Sequence, residues 1–279
     1  MNSQTIPIDT RKLFGPLQSK LVLLLNSLGE RDWDEQTVAK HWKVKDVASH
    51  ILDTQLRVLS IQRDGFFGET PPEKKEYVDI VNWLNQLNAD WVAATRRLSP
   101  KTLILLLELV GNQVIEYYQS LDPWSESTFP VAWAGESTSF NWMHLAREYT
   151  EYWHHQQQIR DAVNQQAIMN REFFHPVIST FLQALPNTFR KVRAKEGTQV
   201  STHITGEAGG TWHLTKGTQG WNLGSATKSI PDAFISIPAE YSWVLFSKSI
   251  RPDDIRDKIT VQGNTQLANG VLEMVSVMA

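Results

Sequence analysis

The hydrophobic pattern of this chain changes its period near residue 170, and that change limits the possible folds more than any other feature. Before it, apolar residues recur at helical spacing, as in the segment KVKDVASHILDTQLRVLS. After it, β-branched and aromatic residues alternate with polar ones between glycine-rich turns, as in TQVSTHITGEAGGTWHLTKGTQGWNLG. The two patterns predict the class α plus α+β. An up-and-down helical bundle is expected over residues 1–168, followed by a small α+β domain with an antiparallel sheet over residues 169–279.

The helical half divides into segments that end at glycines or at turn-rich loops. Helices are predicted at roughly residues 10–29, 43–65, 77–97, 102–120 and 141–164. One more helix is predicted over residues 171–194, before the alternating segments begin. Several antiparallel helices joined by moderate loops are typical of a bundle.

The charge and cysteine content exclude several classes of function. The chain has 27 Lys and Arg against 30 Asp and Glu, a net charge of −3, and no long run of one sign. A dedicated nucleic-acid surface would show a basic stripe, so no nucleic-acid partner is expected. There is no cysteine, which excludes a disulfide framework, a thiolate-ligated metal and a cysteine nucleophile. Any thiol used by this protein must therefore arrive on a cofactor.

The N-terminal segment and the longest apolar run give no sign of export or membrane insertion. MNSQTIPIDTRK lacks the charged, apolar and small-residue order of a signal peptide. The run LVLLLNSL is far too short to span a bilayer. We therefore expect a cytoplasmic protein without a membrane partner.

Four polar residues share one narrow stripe when residues 141–164 are placed on a helix. Measured from His144 at ~100° per residue, the other three lie within ~40° of it: Glu148, Glu151 and His155. Such a stripe faces either solvent or a polar site inside the bundle. Glu151 and His155 are one helical turn apart, so their carboxylate and imidazole could chelate one metal ion.

A third ligand would strengthen this interpretation, and His50 is the candidate. It lies in KDVASHILD on the border of an apolar face, where an unpaired imidazole is costly. The alternative is a core histidine that hydrogen-bonds a backbone carbonyl or Asp46. His154 competes with His155 for a place in the site, although it points roughly 80° away from His144 on the helix.

Two segments resemble the DinB-like helical bundles. HWKVKDVASHILDTQ resembles their W-x-V-x-D-V-x-x-H-L segment, and REYTEYWHHQQQIRDAV resembles their last helix. The closer resemblance is to the mycothiol-dependent maleylpyruvate isomerases, which join such a bundle to a domain related to sterol carrier proteins. ITGEAGGTWHL, IPAEYSWVLFSK, ITVQGN and VLEMVSVMA resemble that second domain.

The resemblance implies a metal- and thiol-dependent enzyme. His50, Glu151 and His155 correspond to the residues that bind a divalent metal, usually zinc, although nickel or manganese also suits a two-histidine, one-glutamate set. An open coordination position would take the sulfur of a low-molecular-weight thiol, which is mycothiol or a bacillithiol-like molecule. The thiolate would then isomerise a small-molecule substrate of the maleylpyruvate type by conjugate addition, rotation and elimination, or would be transferred to an electrophile.

Other roles stay open at this stage. Glu148 and His144 either orient a ligand or shuttle a proton, or they are solvated at the mouth of the site. Arg147, Arg160 or an arginine of the C-terminal domain could bind the carboxylates of the substrate. The alternative function is a non-catalytic protein that holds an apolar ligand in the sterol-carrier-like domain. The protein is expected to be a monomer or a homodimer.

Overall fold

The computed structural model describes residues 6–70, 72 and 77–276, and contacts divide these into two compact units. The helical unit holds residues 9–128 and 151–167. The sheet unit holds the rest of the described chain, including residues 129–150 and everything from residue 168. The proposed domain boundary at residues 168 and 169 remains a prediction, since the division by contacts also passes through the helix that precedes it.

Five helices follow the predicted segments closely. They are α1 (Phe14–Ser27), α2 (Val44–Arg57), α3 (Tyr77–Thr95), α4 (Pro100–Ser120) and α5 (Asn141–Ala162). Local chemistry sets their ends. Asp46 accepts a hydrogen bond from the backbone N–H of Lys43 and so caps α2, and Ser99 caps α4 in front of Pro100. The carboxylate of Asp46 is therefore used in the cap at the start of α2.

Two helices end where the backbone leaves the right-handed region. Asn164 has a φ of 53°, which stops α5 at Ala162, two residues before the predicted end. After α2 the chain continues in a π-helical stretch, Val58–Arg63, and then reaches Gly65 with a φ of 71°. Glycine has no Cβ and adopts this conformation without steric cost, so the predicted stop at Gly65 is explained.

A buried polar network joins four helices of the helical unit. Gln18 of α1 donates from Nε2 to the carbonyl oxygen of Leu107 in α4 at 2.8 Å. Its Oε1 accepts from the hydroxyl of Tyr152 on α5, and Gln55 of α2 donates to the same hydroxyl. A buried polar group left without a partner costs about 1–3 kcal/mol, so these bonds oppose any shift of the helices along one another.

The sheet unit contains five described strands in the order β3-β2-β1-β4-β5. They are β1 (Gln199–Ile204), β2 (Gly210–Lys216), β3 (Trp221–Gly224), β4 (Ala233–Ile237) and β5 (Thr260–Gly263). Three pairings are antiparallel, whereas β1 and β4 run parallel with Val200 opposite Ala233. The predicted antiparallel sheet is thus confirmed for β1, β2 and β3, whereas the parallel pairing of β1 with β4 makes the whole sheet mixed.

The parallel pairing follows from how the loop before β4 is held. Oε1 of Gln199, at the start of β1, accepts hydrogen bonds from the backbone N–H of Thr227 at 2.6 Å and of Lys228 at 3.2 Å. The backbone N–H of Gln199 donates to Asp232 at 2.8 Å. The chain thus returns to the first residue of β1 before β4 begins, and β4 has to leave in the same direction as β1.

Four further helices belong to the sheet unit: α6 (Arg171–Phe181), α7 (Leu185–Thr188), α8 (Ala239–Phe246) and α9 (Thr265–Leu272). The single helix predicted over residues 171–194 is interrupted by a 3₁₀ turn at Leu182–Ala184 and ends with α7. The helices α7 and α9 pack on the sheet, and large aromatic side chains such as Phe181, Phe189 and Phe246 are buried in this unit. Among the residues described, no helix combines the length and apolarity needed to cross a membrane.

Gly111 provides a test of the polar network. A Cβ at this position would lie 2.3 Å from Nε2 of Gln18, so Gly111→Ala has to displace the amide and break its bond to Leu107. We expect a loss of about 1–3 kcal/mol in the free energy of unfolding, measured by urea denaturation. The control is Gly15→Ala in α1, where a Cβ meets nothing within 4 Å. Equal stability of the two variants would contradict the role given to Gln18.

Candidate metal centre

His50 lies in the middle of α2 and is 7% exposed. Its Nδ1 is buried and has no hydrogen-bond partner among the described residues. The ring of Trp42 lies 4.6 Å from it, centroid to centroid. Burial lowers the pKa of His50 well below its ordinary value, and the nearby charges of His155, Arg57 and His154 lower it further. His50 is therefore neutral at physiological pH, the form that binds metals.

The helix α5 brings Glu151 and His155 to the same place. The ring centroids of His50 and His155 are 4.7 Å apart in an edge-to-face arrangement. Oε2 of Glu151 lies 3.5 Å from Nε2 of His155. Hence His50 of α2 and Glu151 of α5 each lie beside His155 within the helical unit.

In the present side-chain conformations, the donor atoms of the three residues do not converge on one metal position. No group of three or more His, Cys, Asp or Glu residues in the described part of the chain has its donor atoms close enough together to hold a metal ion. The donor set nevertheless suits a divalent metal, since two imidazoles and one carboxylate are typical of sites with an open coordination position. The unpartnered nitrogen of His50 is a buried polar atom that a ligand would satisfy.

The Nε2 atom of His154 is hydrogen-bonded to Gln158. It accepts a hydrogen bond from Nε2 of Gln158 at 3.0 Å, and the Oε1 of the same amide is 3.0 Å from Nδ1 of His155. Burial lowers the pKa of His154 to about 3, with His155 adding to the effect and Glu151 opposing it. The geometry thus leaves Nε2 of His155 facing Glu151, while Nε2 of His154 is already used.

His144 and Glu148 belong to a cluster centred on Arg147. The Nη2 of Arg147 donates to Nδ1 of His144 at 2.7 Å and to Oε1 of Glu148 at 2.5 Å. His144 is 1% exposed, and burial together with the charge of Arg147 lowers its pKa well below the usual value. The guanidinium of Arg147 is therefore engaged inside this cluster, and His144 is not solvated.

Arg160, the other arginine considered for the substrate, is engaged by neutral groups. It donates to the backbone carbonyls of Gln166 at 2.9 Å and Lys20 at 3.2 Å. It also donates to the side-chain oxygen of Gln156 at 3.3 Å. These contacts tie the end of α5 to α1.

Sequence reasoning missed two residues beside the histidines, Gln158 and Arg57. Arg57 follows His50 by seven positions on α2, about −20° around the helix, so helical geometry could have found it. Its Nη2 donates to Asp53 at 2.5 Å and to Asn88 at 2.7 Å, while its Nε is buried without a partner among the described residues. Gln158 follows His155 by three positions, and its role becomes visible only with the two histidine rings in place.

Solved structures with a similar fold include a mycothiol-dependent maleylpyruvate isomerase and its histidine-to-alanine variant. Each matches with a TM-score of 0.52 and 13% identity over 90% of this chain and 91% of the other. This likeness confirms the predicted class, a helical part followed by an α+β part. Sterol carrier protein 2 like 2 from Aedes aegypti matches over 35% of this chain and 95% of its own, with 15% identity and a TM-score of 0.27. That score is too low to support an argument about the fold.

Comparison with curated proteins gives no match. A family match comes instead from the sequence model described as "Mycothiol maleylpyruvate isomerase N-terminal domain", which covers residues 14–160. This match spans α1 to α5 almost completely and includes His50, Glu151 and His155. Because it extends over more than half of the 279 residues, the chain belongs to the mycothiol maleylpyruvate isomerase N-terminal domain family.

Proposed function

We propose that this protein is a divalent-metal-dependent enzyme that uses a low-molecular-weight thiol to isomerise a small unsaturated acid, or to transfer the thiol. The metal, zinc in the first instance and nickel or manganese otherwise, would be held by His50, Glu151 and His155. The observation that carries the proposal is the close approach of the His50 ring to His155, which itself lies beside Glu151, in a place where a buried imidazole nitrogen lacks a partner. Family membership supports the reaction class.

A bound divalent metal lowers the pKa of a thiol and so supplies a thiolate at neutral pH. The residues of the chain prepare the place for this chemistry. Burial keeps His50 neutral, so its lone pair is available for a metal without loss of a proton. The ring of Trp42, 4.6 Å from His50 and 6.2 Å from His155, shields both imidazoles from water. The thiol is mycothiol or a bacillithiol-like molecule.

Arg57 is our candidate for binding a carboxylate of the substrate. It lies on the same face of α2 as His50, and its charge acts on that histidine. One nitrogen of its guanidinium holds Asp53 and Asn88, whereas Nε has no partner among the described residues. The Nε–H of Arg57 could donate one charge-assisted hydrogen bond to such a carboxylate.

Metal content is the first test of the proposal. Elemental mass spectrometry of the untagged protein is expected to find near-stoichiometric zinc, nickel or manganese. His50→Ala, Glu151→Gln and His155→Ala should lose it, because each removes one ligand. His41→Ala is the control, since that histidine is exposed. Absence of metal after reconstitution, or its retention in His155→Ala, contradicts the metal site, and co-purified lipid without metal would favour an apolar-ligand carrier.

The pH dependence of stability tests the neutral histidines. In the folded protein His50, His144 and His154 have a pKa below the ordinary 6.5, so the unfolded chain takes up protons first. The free energy of unfolding of the metal-free protein should therefore fall as the pH drops below about 6.5, by up to about 1.4 kcal/mol per pH unit for each histidine. Urea denaturation from pH 7 to pH 4 measures this slope.

The slope should be smaller in His144→Gln and His154→Gln than in the wild type, because each variant lacks one of the groups. It should be unchanged in His41→Gln. Identical slopes in all variants would show that these histidines do not carry the acid sensitivity.

Substitution of Arg57 tests its contact with the substrate. With maleylpyruvate and a thiol cofactor, Arg57→Lys is expected to raise KM more than it lowers kcat, because lysine keeps the charge but lacks the Nε–H donor. The metal content should stay at the wild-type value. Arg63→Lys, at an exposed arginine just beyond α2, is the control. An unchanged KM in Arg57→Lys would reject this role.

A further inference from the structure

Gln158 lies between two adjacent histidines and touches both with opposite ends of its amide. Its Oε1 is 3.0 Å from Nδ1 of His155, and its Nε2 is 3.0 Å from Nε2 of His154. The side chain is 3% exposed, and the two imidazole rings stack at 5.3 Å with an interplanar angle of 17°.

The chemistry of the amide fixes where the imidazole protons lie. An amide oxygen only accepts hydrogen bonds, and an amide NH₂ group only donates them. Nδ1 of His155 must therefore carry a proton, and Nε2 of His154 must be bare. In the neutral ring, a proton on Nδ1 leaves a lone pair on Nε2 of His155, and this atom lies 3.5 Å from the carboxylate of Glu151.

We propose that Gln158 is a positioning residue that selects His155, and not its neighbour His154, as the metal ligand. It does so by setting the tautomers of both rings together: His155 offers a bare Nε2, while the bare Nε2 of His154 is used by the amide. The inference rests on the metal site proposed above. It gives a function to Gln158, a neutral residue that is not one of the three proposed metal ligands.

A carboxylate at this position would act differently. Glutamate has only acceptor atoms when ionised, so it would keep the proton on Nδ1 of His155 but would also require a proton on Nε2 of His154. A carboxylate behind a metal-bound histidine also raises the basicity of that ligand more than an amide does. The amide therefore sets both tautomers and leaves the site less negative.

The test uses histidine labelled with ¹⁵N in the metal-free protein, since ¹⁵N shifts distinguish a protonated from a bare ring nitrogen. In the wild type, we expect protons on Nδ1 of both His155 and His154. In Gln158→Glu, His154 should change to the Nε2-protonated form while His155 stays as it is. In Gln158→Leu, neither tautomer is held, and both rings should show averaged shifts.

Zinc affinity, measured in competition with a chelator, gives a second readout. Gln158→Leu should weaken zinc binding by about 10- to 100-fold, the usual effect of losing a partner of a ligating histidine. Gln158→Glu should bind at least as tightly as the wild type. The matched control is Gln157→Leu, because Gln157 is an adjacent buried glutamine whose Nε2 donates to Asp161 at 2.6 Å.

The outcomes separate this inference from the proposed function. If the wild type binds no zinc, the metal site fails and ligand selection fails with it. If zinc binds but His155 carries its proton on Nε2, the metal site stands and the role of Gln158 is overturned. The same conclusion follows if Gln158→Leu matches Gln157→Leu in both tautomers and zinc affinity.

Discussion

The burial of one polar turn of α5 is the constraint on which the helical unit depends. Residues 153–159 are all buried, yet five of the seven are histidines or glutamines. Such side chains need partners, because each unsatisfied group would cost about 1–3 kcal/mol. Gln156 therefore binds the carbonyl of Leu17 at 2.9 Å, which joins α5 to α1, while the two histidines share Gln158. The packing of the unit and the layout of the candidate metal centre are two results of the same requirement.

The helix α5 also shows how identical spacing leads to different chemistry. His144 and Glu148 are related by four residues, as are Glu151 and His155, and each pair lies on the same stripe of the helix. The first pair is joined by Arg147, so its charge is balanced and its imidazole is held neutral by a donated hydrogen bond. The second pair has no arginine between its members, and the nearest added ring is that of His50. The two pairs therefore differ in their third residue, which is Arg147 for the first pair and His50 for the second.

Much of the fold and part of the site could be predicted from the sequence, and the rest could not for physical reasons. Helical periodicity located α1 to α5, and helix geometry placed Glu151 beside His155. His50 was paired with them through a family resemblance, since periodicity alone does not say which helices touch. Alternation does not reveal strand direction, so the parallel pairing of β1 with β4 could not be predicted. The role of Gln158 could not be predicted, because the function of an amide depends on which groups its oxygen and nitrogen contact in the folded protein.

The contacts of Gln199 divide the β3–β4 connection into parts that differ in how they tolerate a change of length. Thr227, Lys228 and Asp232 are anchored to the first residue of β1, so an inserted or deleted residue at an anchor would shift the register of β4 against its central neighbour. A one-residue shift would turn Ile235 and Ile237 from the core to the outside. Ser229 and Ile230 lie between the anchors and are exposed, so added length there loops outward. An insertion site in this part of the chain is thus bounded on both sides by contacts to a single residue of another strand, through its side chain on one side and its backbone on the other.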